Sequence, residues 1–219
     1  MKAITTQKTI EEILCEQSKT AFSTCWPFQK ETVHSWAYWK QAFTKEECEK
    51  VVKIAKSYTL KKAGVIKKEN KVTVEKEVRE TNVMFLVPSR ETEFIFKKLT
   101  TLVLELNQRF FNFDLWGLYE GLQFTNYVAP SGKYYKHIDK IPPEYGGIIR
   151  KLSFSLQLSD PKEYKGGNLN LYLSQKKTVL SKEQGTLLVF PSYTMHEVTK
   201  VTKGERNSLV GWISGPTFR

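Results

Sequence analysis

From Asn112 to Arg219 the chain is a succession of short segments in which apolar and polar residues alternate, each closed by Gly, Pro, Asp or Lys. They read LWGLYEGLQFTNYVA, KYYKHID, KLSFSLQLS, GNLNLYL, GTLLVFPS, MHEVTKV and RNSLVGWIS. A period of two over such lengths is the pattern of half-buried strands, not of helices. Many short strands at an even pace fold into a barrel or a double-sheet jelly roll.

The first half has a different periodicity. In FTKEECEKVVKIAKSY, Thr44 can cap a helix, Glu47 stands three residues later, and Val51, Ile54 and Ala55 follow at helical spacing. A second helix, opened by Ser89, is expected from the apolar repeat Ile95, Leu99, Leu102, Val103, Leu106. Between them a strand, a mobile basic loop and another strand near Asn82 to Val87 are expected, with Gly64 and Asn70 as turn residues. Further upstream a short helix is expected around Thr9 to Ser18, then an irregular aromatic segment, CWPFQKETVHSW. No linker or internal repeat divides the chain. The expected fold is α+β and a single domain over 1–219. Residues from about 1 to 111 would form a support region of helices and strands, and 112–219 a double-stranded β-helix, the cupin-like jelly roll.

A chain of 219 residues with 40% hydrophobic and 13% aromatic side chains can bury a core without staples. Cys15, Cys25 and Cys48 are odd in number and never in CxxC spacing, which speaks against a disulfide framework or a zinc site and for reduced, structural thiols. No apolar run is long enough for a membrane helix and the first residues lack a leader pattern, so a soluble, cytoplasmic protein with no membrane partner is expected. The formal net charge of +11 would attract acidic or phosphorylated partners, and eight lysines lie between Lys53 and Lys76. Without an arginine-rich tract, an RNP-like aromatic motif or a Cys/His finger, this charge is weak evidence for nucleic-acid binding.

Chemistry concentrates at YYKHIDK. Side chains two apart on a strand share a face, so His137 and Asp139 would aim together into the barrel as part of a metal site. A third ligand must be His34 or His196, and His196, in FPSYTMHEVTK of the strand-rich half, is the better candidate. Two histidines and one carboxylate leave coordination positions open, as non-haem Fe(II) oxygenases require. MHEVTKVTKGERNSLVGW then reads as a hairpin turning at Thr202 to Gly204 and pairing Lys200 with Arg206. Arg206 would sit about 13 Å along the sheet from His196, on the same face, where it could grip the far carboxylate of a five-carbon 2-keto acid.

LQFTNYVAPSGKYYKHID, RKLSFSLQLSDPKEYKGGNLNLY and QGTLLVFPSYTMHEVTKVTKGERNSLVGWISGP, from about Leu122 to Pro216, resemble the Fe(II)- and 2-oxoglutarate-dependent dioxygenases of the prolyl 4-hydroxylase-like branch. The resemblance implies that His137, Asp139 and His196 hold Fe(II) and serve catalysis, and that Arg206 binds 2-oxoglutarate, with Tyr127 beside the cosubstrate. Ser208 and Trp212 share the inward face of the Arg206 strand, and Tyr134 could line the substrate pocket. Collagen-type relatives carry lysine in place of Arg206, and oxygen sensors carry tyrosine in place of Gln157. The chain resembles more the microbial and viral PKHD-type hydroxylases.

The implied cofactors are Fe(II), 2-oxoglutarate and O2, with ascorbate as reductant. The implied activity is C–H hydroxylation coupled to decarboxylation of 2-oxoglutarate to succinate. Peptidyl proline is the favoured target, on a polypeptide partner that is proline-containing and acidic, with the basic Lys61–Lys76 stretch and KIPPEYGGII as rims. A free amino-acid or metabolite hydroxylase, a nucleic-acid demethylase and an inactive binding module are the rival readings.

Overall fold

The computed structural model describes residues 3–4, 33–66, 72–73, 75–139, 148–174 and 177–218. The helix expected at 9–18, Cys15, Cys25, most of the aromatic segment, Lys67, Lys68 and Lys71, and the rim at 140–147 lie outside them. Among the described residues there are two helices, α1 (Lys45–Lys56) and α2 (Glu93–Phe110). The strands of the first half are β1 (Ala3–Ile4), β2 (Ala37–Trp39), β3 (Lys61–Lys62), β4 (Val65–Ile66), β5 (Val72–Thr73), β6 (Arg79–Glu80) and β7 (Asn82–Leu86). Those of the second are β8 (Leu122–Val128), β9 (Lys133–His137), β10 (Ile149–Gln157), β11 (Lys165–Gly166), β12 (Leu169–Tyr172), β13 (Lys177–Val179), β14 (Leu187–Pro191), β15 (Met195–Val198), β16 (Val201–Lys203) and β17 (Glu205–Gly215).

An eight-stranded sheet runs β1-β2-β14-β10-β17-β8-β7-β3 and a five-stranded sheet β13-β12-β15-β9-β6. The pairings are antiparallel, and the two sheets form the sandwich of a jelly roll. Thr44 opens α1 with a full capping box: its hydroxyl accepts from the Glu47 N–H at 3.2 Å, and the Glu47 carboxylate accepts from the Thr44 N–H at 2.7 Å. No helix among the described residues is long and apolar enough to cross a membrane.

Period-two alternation gives the large sheet two unlike faces. One face is apolar: Leu122 and Phe124, Leu152 and Leu156, Leu187 and Val189, Leu209 and Ile213 join a cluster with Val51, Ile54 and Ala55 of α1 and Ile95, Leu99, Val103 and Leu106 of α2. The other face is polar along its centre, with Gln123 and Thr125, Ser153, Ser155 and Gln157, and Arg206 and Ser208, all buried. Toward β14 that inner face turns apolar again, where Tyr38, Leu188 and Phe190 pack with Leu169, Leu171 and Val198 of the small sheet. The helices therefore cover the outside, and the polar interior lies between the sheets.

Three expectations need correction. α2 is capped at Thr92, and Ser89 instead closes the preceding turn, its N–H donating to Thr92 Oγ1 at 2.9 Å. Residues 115–121 make an isolated bridge, Gly117 with Ser214, and the strand begins at Leu122. The hairpin joining Lys200 to Arg206 does not form: β16 pairs with β11 in a separate two-stranded sheet, whereas β17 pairs with β8 and β10, so at Gly204 the chain leaves that pair and enters the eight-stranded sheet. Gly204 has φ +71°, and a Cβ there would lie 2.1 Å from the Glu163 carbonyl oxygen, which forces this sharp crossing on glycine.

Leu99 is fully buried under the sheet and Leu104 of the same helix is 46% exposed. Leu99→Ala should cost about 2–5 kcal/mol in urea unfolding, and Leu104→Ala less than about 0.5 kcal/mol. Burial also raises the Cys48 thiol to about 12, so the peptide containing Cys48 should resist iodoacetamide in the native protein at pH 8 and react once unfolded.

Candidate metal and cosubstrate site

β9 ends at His137, and Asp139 lies two residues beyond, where its N–H donates to the Ser192 carbonyl at 3.0 Å. β15 pairs with β9 so that His196 stands opposite His137. The three side chains converge: one ligand atom from each lies within 4.8 Å of the others. His137 Nε2 is 3.6 Å from Asp139 Oδ1, and His196 Nε2 is 3.5 Å from Asp139 Oδ2. His34 is elsewhere, its ring edge-on to Phe110.

Both imidazoles are held in one tautomer. Nδ1 of His137 donates to the Tyr135 carbonyl at 2.7 Å and Nδ1 of His196 to the Thr194 carbonyl at 2.9 Å, which turns each Nε2 toward Asp139. Burial, then the neighbouring His196, lowers the His137 pKa to about 4, so the ring is neutral near pH 7. Burial works against the charged Asp139, yet His196, His137 and the Ser153 hydroxyl outweigh it and hold the carboxyl below its usual range. Ser153 donates to Asp139 Oδ2 at 2.8 Å. Two imidazoles and one carboxylate converging with ligand atoms within reach of one another suit a divalent ion with open positions.

Arg206 approaches this cluster from the opposite sheet. It is 1% exposed, Nη2 donates to Gln157 Oε1 at 2.9 Å, and Nη1 donates to Ser208 Oγ at 3.1 Å. Ser208 Oγ is also 2.7 Å from Thr125 Oγ1, and the guanidinium carbon is 5.4 Å from the centre of the buried Tyr127 ring. Gly167, at φ +60°, lets the arginine stem pass, since a Cβ there would stand 2.9 Å from Arg206 Cδ. No carboxylate among the described residues pairs with Arg206. Its place comes from the sheet crossing, not from a shared strand face with His196.

A cavity of about 950 Å³ joins these groups, lined by Tyr127, His137, Asp139, His196, Arg206 and Trp212 among others. Tyr134 is stacked on His137 with ring centres 3.6 Å apart, and Trp212 carries the Arg150 guanidinium at 3.8 Å on its face. The Trp212 indole N–H favours the Asp139 carboxylate but closes no hydrogen bond with it. Three residues that line the cavity carry a buried N–H donor without an acceptor: Arg79 Nε, Arg206 Nε and Trp212 Nε1. A donor-rich cavity of this kind is made for an oxygen-rich, anionic occupant. Sequence reasoning overlooked the parts that Gln157, Ser153 and Arg79 play. The signal was present for the first two, polar positions alternating with leucine in KLSFSLQLS.

Residues 122–214 match the family model described as the 2OG-Fe(II) oxygenase superfamily. A PKHD-type hydroxylase of Prochlorococcus marinus (strain SARG) is 47% identical over 93 residues, covering 42% of this chain and 41% of that protein. Another, from strain NATL2A of the same species, is 36% identical over 103 residues, covering 47% and 45%. The chain thus spans less than half the length of these relatives. In structure it is similar to a Pseudomonas putida prolyl-4-hydroxylase, at TM-score 0.65 and 23% identity over 83% of this chain and 93% of the other. It is likewise similar to the viral collagen prolyl hydroxylase of Paramecium Bursaria Chlorella virus-1 in its 2OG complex, at TM-score 0.63 and 19% identity over 84% and 97%. These likenesses concern the fold.

Ser153→Ala removes the hydroxyl that orients Asp139, and Mn(II) affinity in equilibrium dialysis should fall roughly tenfold or more. Asp139→Ala should abolish stoichiometric binding altogether.

Proposed function

We propose that the protein is a 2-oxoglutarate-dependent hydroxylase holding Fe(II) through His137, Asp139 and His196, and that its target is peptidyl proline, hydroxylated at C4. The observation that carries the reading is the buried Arg206 guanidinium, without a carboxylate partner among the described residues, lining the same cavity as the two imidazoles and Asp139. A buried cation without a counter-charge is costly, and the distal carboxylate of 2-oxoglutarate supplies one.

His137, Asp139 and His196 would hold the Fe(II), which with 2-oxoglutarate would supply O2 activation, one oxygen atom going to succinate with loss of CO2 and the other to the new hydroxyl. The chain supplies placement. Gln157 and Ser208 fix the fork of Arg206, which would hold the distal carboxylate, and Tyr127, beside the guanidinium, would close one side of the cosubstrate. Ser153 keeps Asp139 turned to the ion. Trp212 and Phe190 exclude water from the reacting end, and Tyr134 packs along the bound target. Ascorbate would restore iron oxidised in turnovers without substrate, and a cytoplasmic setting would provide both reductant and 2-oxo acid. The whole chain would act as one unit, residues 1–111 bracing the jelly roll. A peptide target is favoured over a small metabolite by the cavity volume, near the upper end of common ligand sites.

Succinate formation from 2-oxoglutarate under Fe(II) and O2, with proline peptides, free proline and methylated oligonucleotides as candidates, tests the reading. Stimulation by peptide, lost in His137→Ala, is expected, and stimulation by free proline or oligonucleotide alone would discard the peptidyl target. Absence of turnover together with absence of metal binding would end the oxygenase reading. Arg206→Gln should raise the 2-oxoglutarate concentration for half-maximal rate roughly 10- to 100-fold.

A further inference from the structure

Arg206 is not the only buried guanidinium in the cavity. Arg79 of β6 is 9% exposed and lines the same space. Its Nη2 donates to Gln123 Oε1 at 2.7 Å, its guanidinium lies 4.4 Å from the centre of the Tyr134 ring, and its Nε has no acceptor. A neutral amide and an aromatic face hold the group in place but do not balance its charge. Among the described residues no carboxylate pairs with it. Arg150, which also reaches the cavity, is different: its Nε donates to Glu120 Oε1 at 2.7 Å, so its charge is already met.

The position of Arg79 assigns it to the target molecule. β6 pairs with β9 so that Arg79 stands opposite Tyr134, and Tyr134 is in turn stacked on His137. The cation is thus one aromatic ring away from a metal-site imidazole, on the small sheet, whereas Arg206 is on the large one. Lys61 and Lys62 of β3, both exposed, add positive charge where the cavity opens.

We infer that Arg79 is a specificity-determining residue that binds a carboxylate of the hydroxylated molecule, so that the substrate is an acid close to the carbon that reacts. The inference rests on the function proposed above and narrows it. The carboxylate is either an acidic side chain next to the target residue of a peptide or the α-carboxylate of a free amino acid. In both cases it makes a charge-assisted pair with Arg79, whose Nε supplies a donor that nothing in the fold uses.

Calorimetry on the full chain loaded with Mn(II) and 2-oxoglutarate tests it with two matched pairs of probes. One pair is a capped Glu-Pro-Gly peptide and its Gln-Pro-Gly counterpart; the other is L-proline and L-prolinamide. At least one acid should bind about tenfold or more tighter than its neutral mate, with the difference gone in Arg79→Gln and partly kept in Arg79→Lys. The pair that shows the preference identifies the source of the carboxylate. Equal binding within both pairs, no binding of either acid at millimolar concentration, or a preference that survives Arg79→Gln overturns the inference. Binding of 2-oxoglutarate, measured first for each protein, reports an intact site. Its loss in the unmutated protein would remove the oxygenase reading itself, whereas its presence without an acid preference removes the Arg79 assignment alone.

Discussion

Alternation along the strands loads the large sheet with opposite demands. Leu152, Leu156, Leu209 and Ile213 must be covered by α1 and α2, while Ser153, Ser155, Gln157, Arg206 and Ser208, one residue out of phase, must find partners inside the sandwich. A one-residue slip would bury the serines under the helices and turn leucines into the cavity, so the register is fixed on both faces at once. Most of the inward polar groups satisfy one another: Ser153 with Asp139 and Ser192, Gln157 with Ser155 and Arg206, Thr125 with Ser208. Among the described residues that line the cavity, the buried side-chain atoms left without a partner are all N–H donors, those of Arg79, Arg206 and Trp212, and such a set suits an oxygen-rich anion.

Arg206 and His196 are ten residues apart in the chain but on different sheets. The crossing at Gly204 converts a short sequence interval into a span across the sandwich, and it sets a buried charged donor and the His-Asp-His cluster on one cavity. Gly167 contributes on the other side by leaving room for the arginine stem. The metal ligands are as firmly held as the arginine, because backbone carbonyls at Tyr135 and Thr194 fix the two imidazoles before any ion arrives.

Much of this was legible in the chain. Thr44 and Glu47 announced the capping box of α1, the alternating segments announced the strands, and HxD with a later histidine pointed to residues that the fold brings together. The Lys200–Arg206 hairpin was misread because a glycine turn between two strand-like segments fits a hairpin and a sheet crossing equally well. Only tertiary pairing with β11, β8 and β10 separates the two. Ser89 was misread for a local reason: Ser89 and Thr92 are both good caps, and the turn they share delays the helix by three residues. Arg79 carried no signal in a lysine-rich neighbourhood, since its burial and its missing counter-charge arise from β9, distant in sequence.

On the function proposed above, the His-Asp-His cluster and Arg206 form one site for one anionic 2-oxo acid. Titration of 2-oxoglutarate into the Mn(II)-loaded and the metal-stripped protein, with glutarate as a comparison lacking the 2-oxo group, tests it most directly. The account predicts one-to-one binding that depends on Mn(II) and that glutarate does not match. Equal binding with and without metal, or equal affinity for glutarate, would show that the two halves of the site do not act on the same molecule.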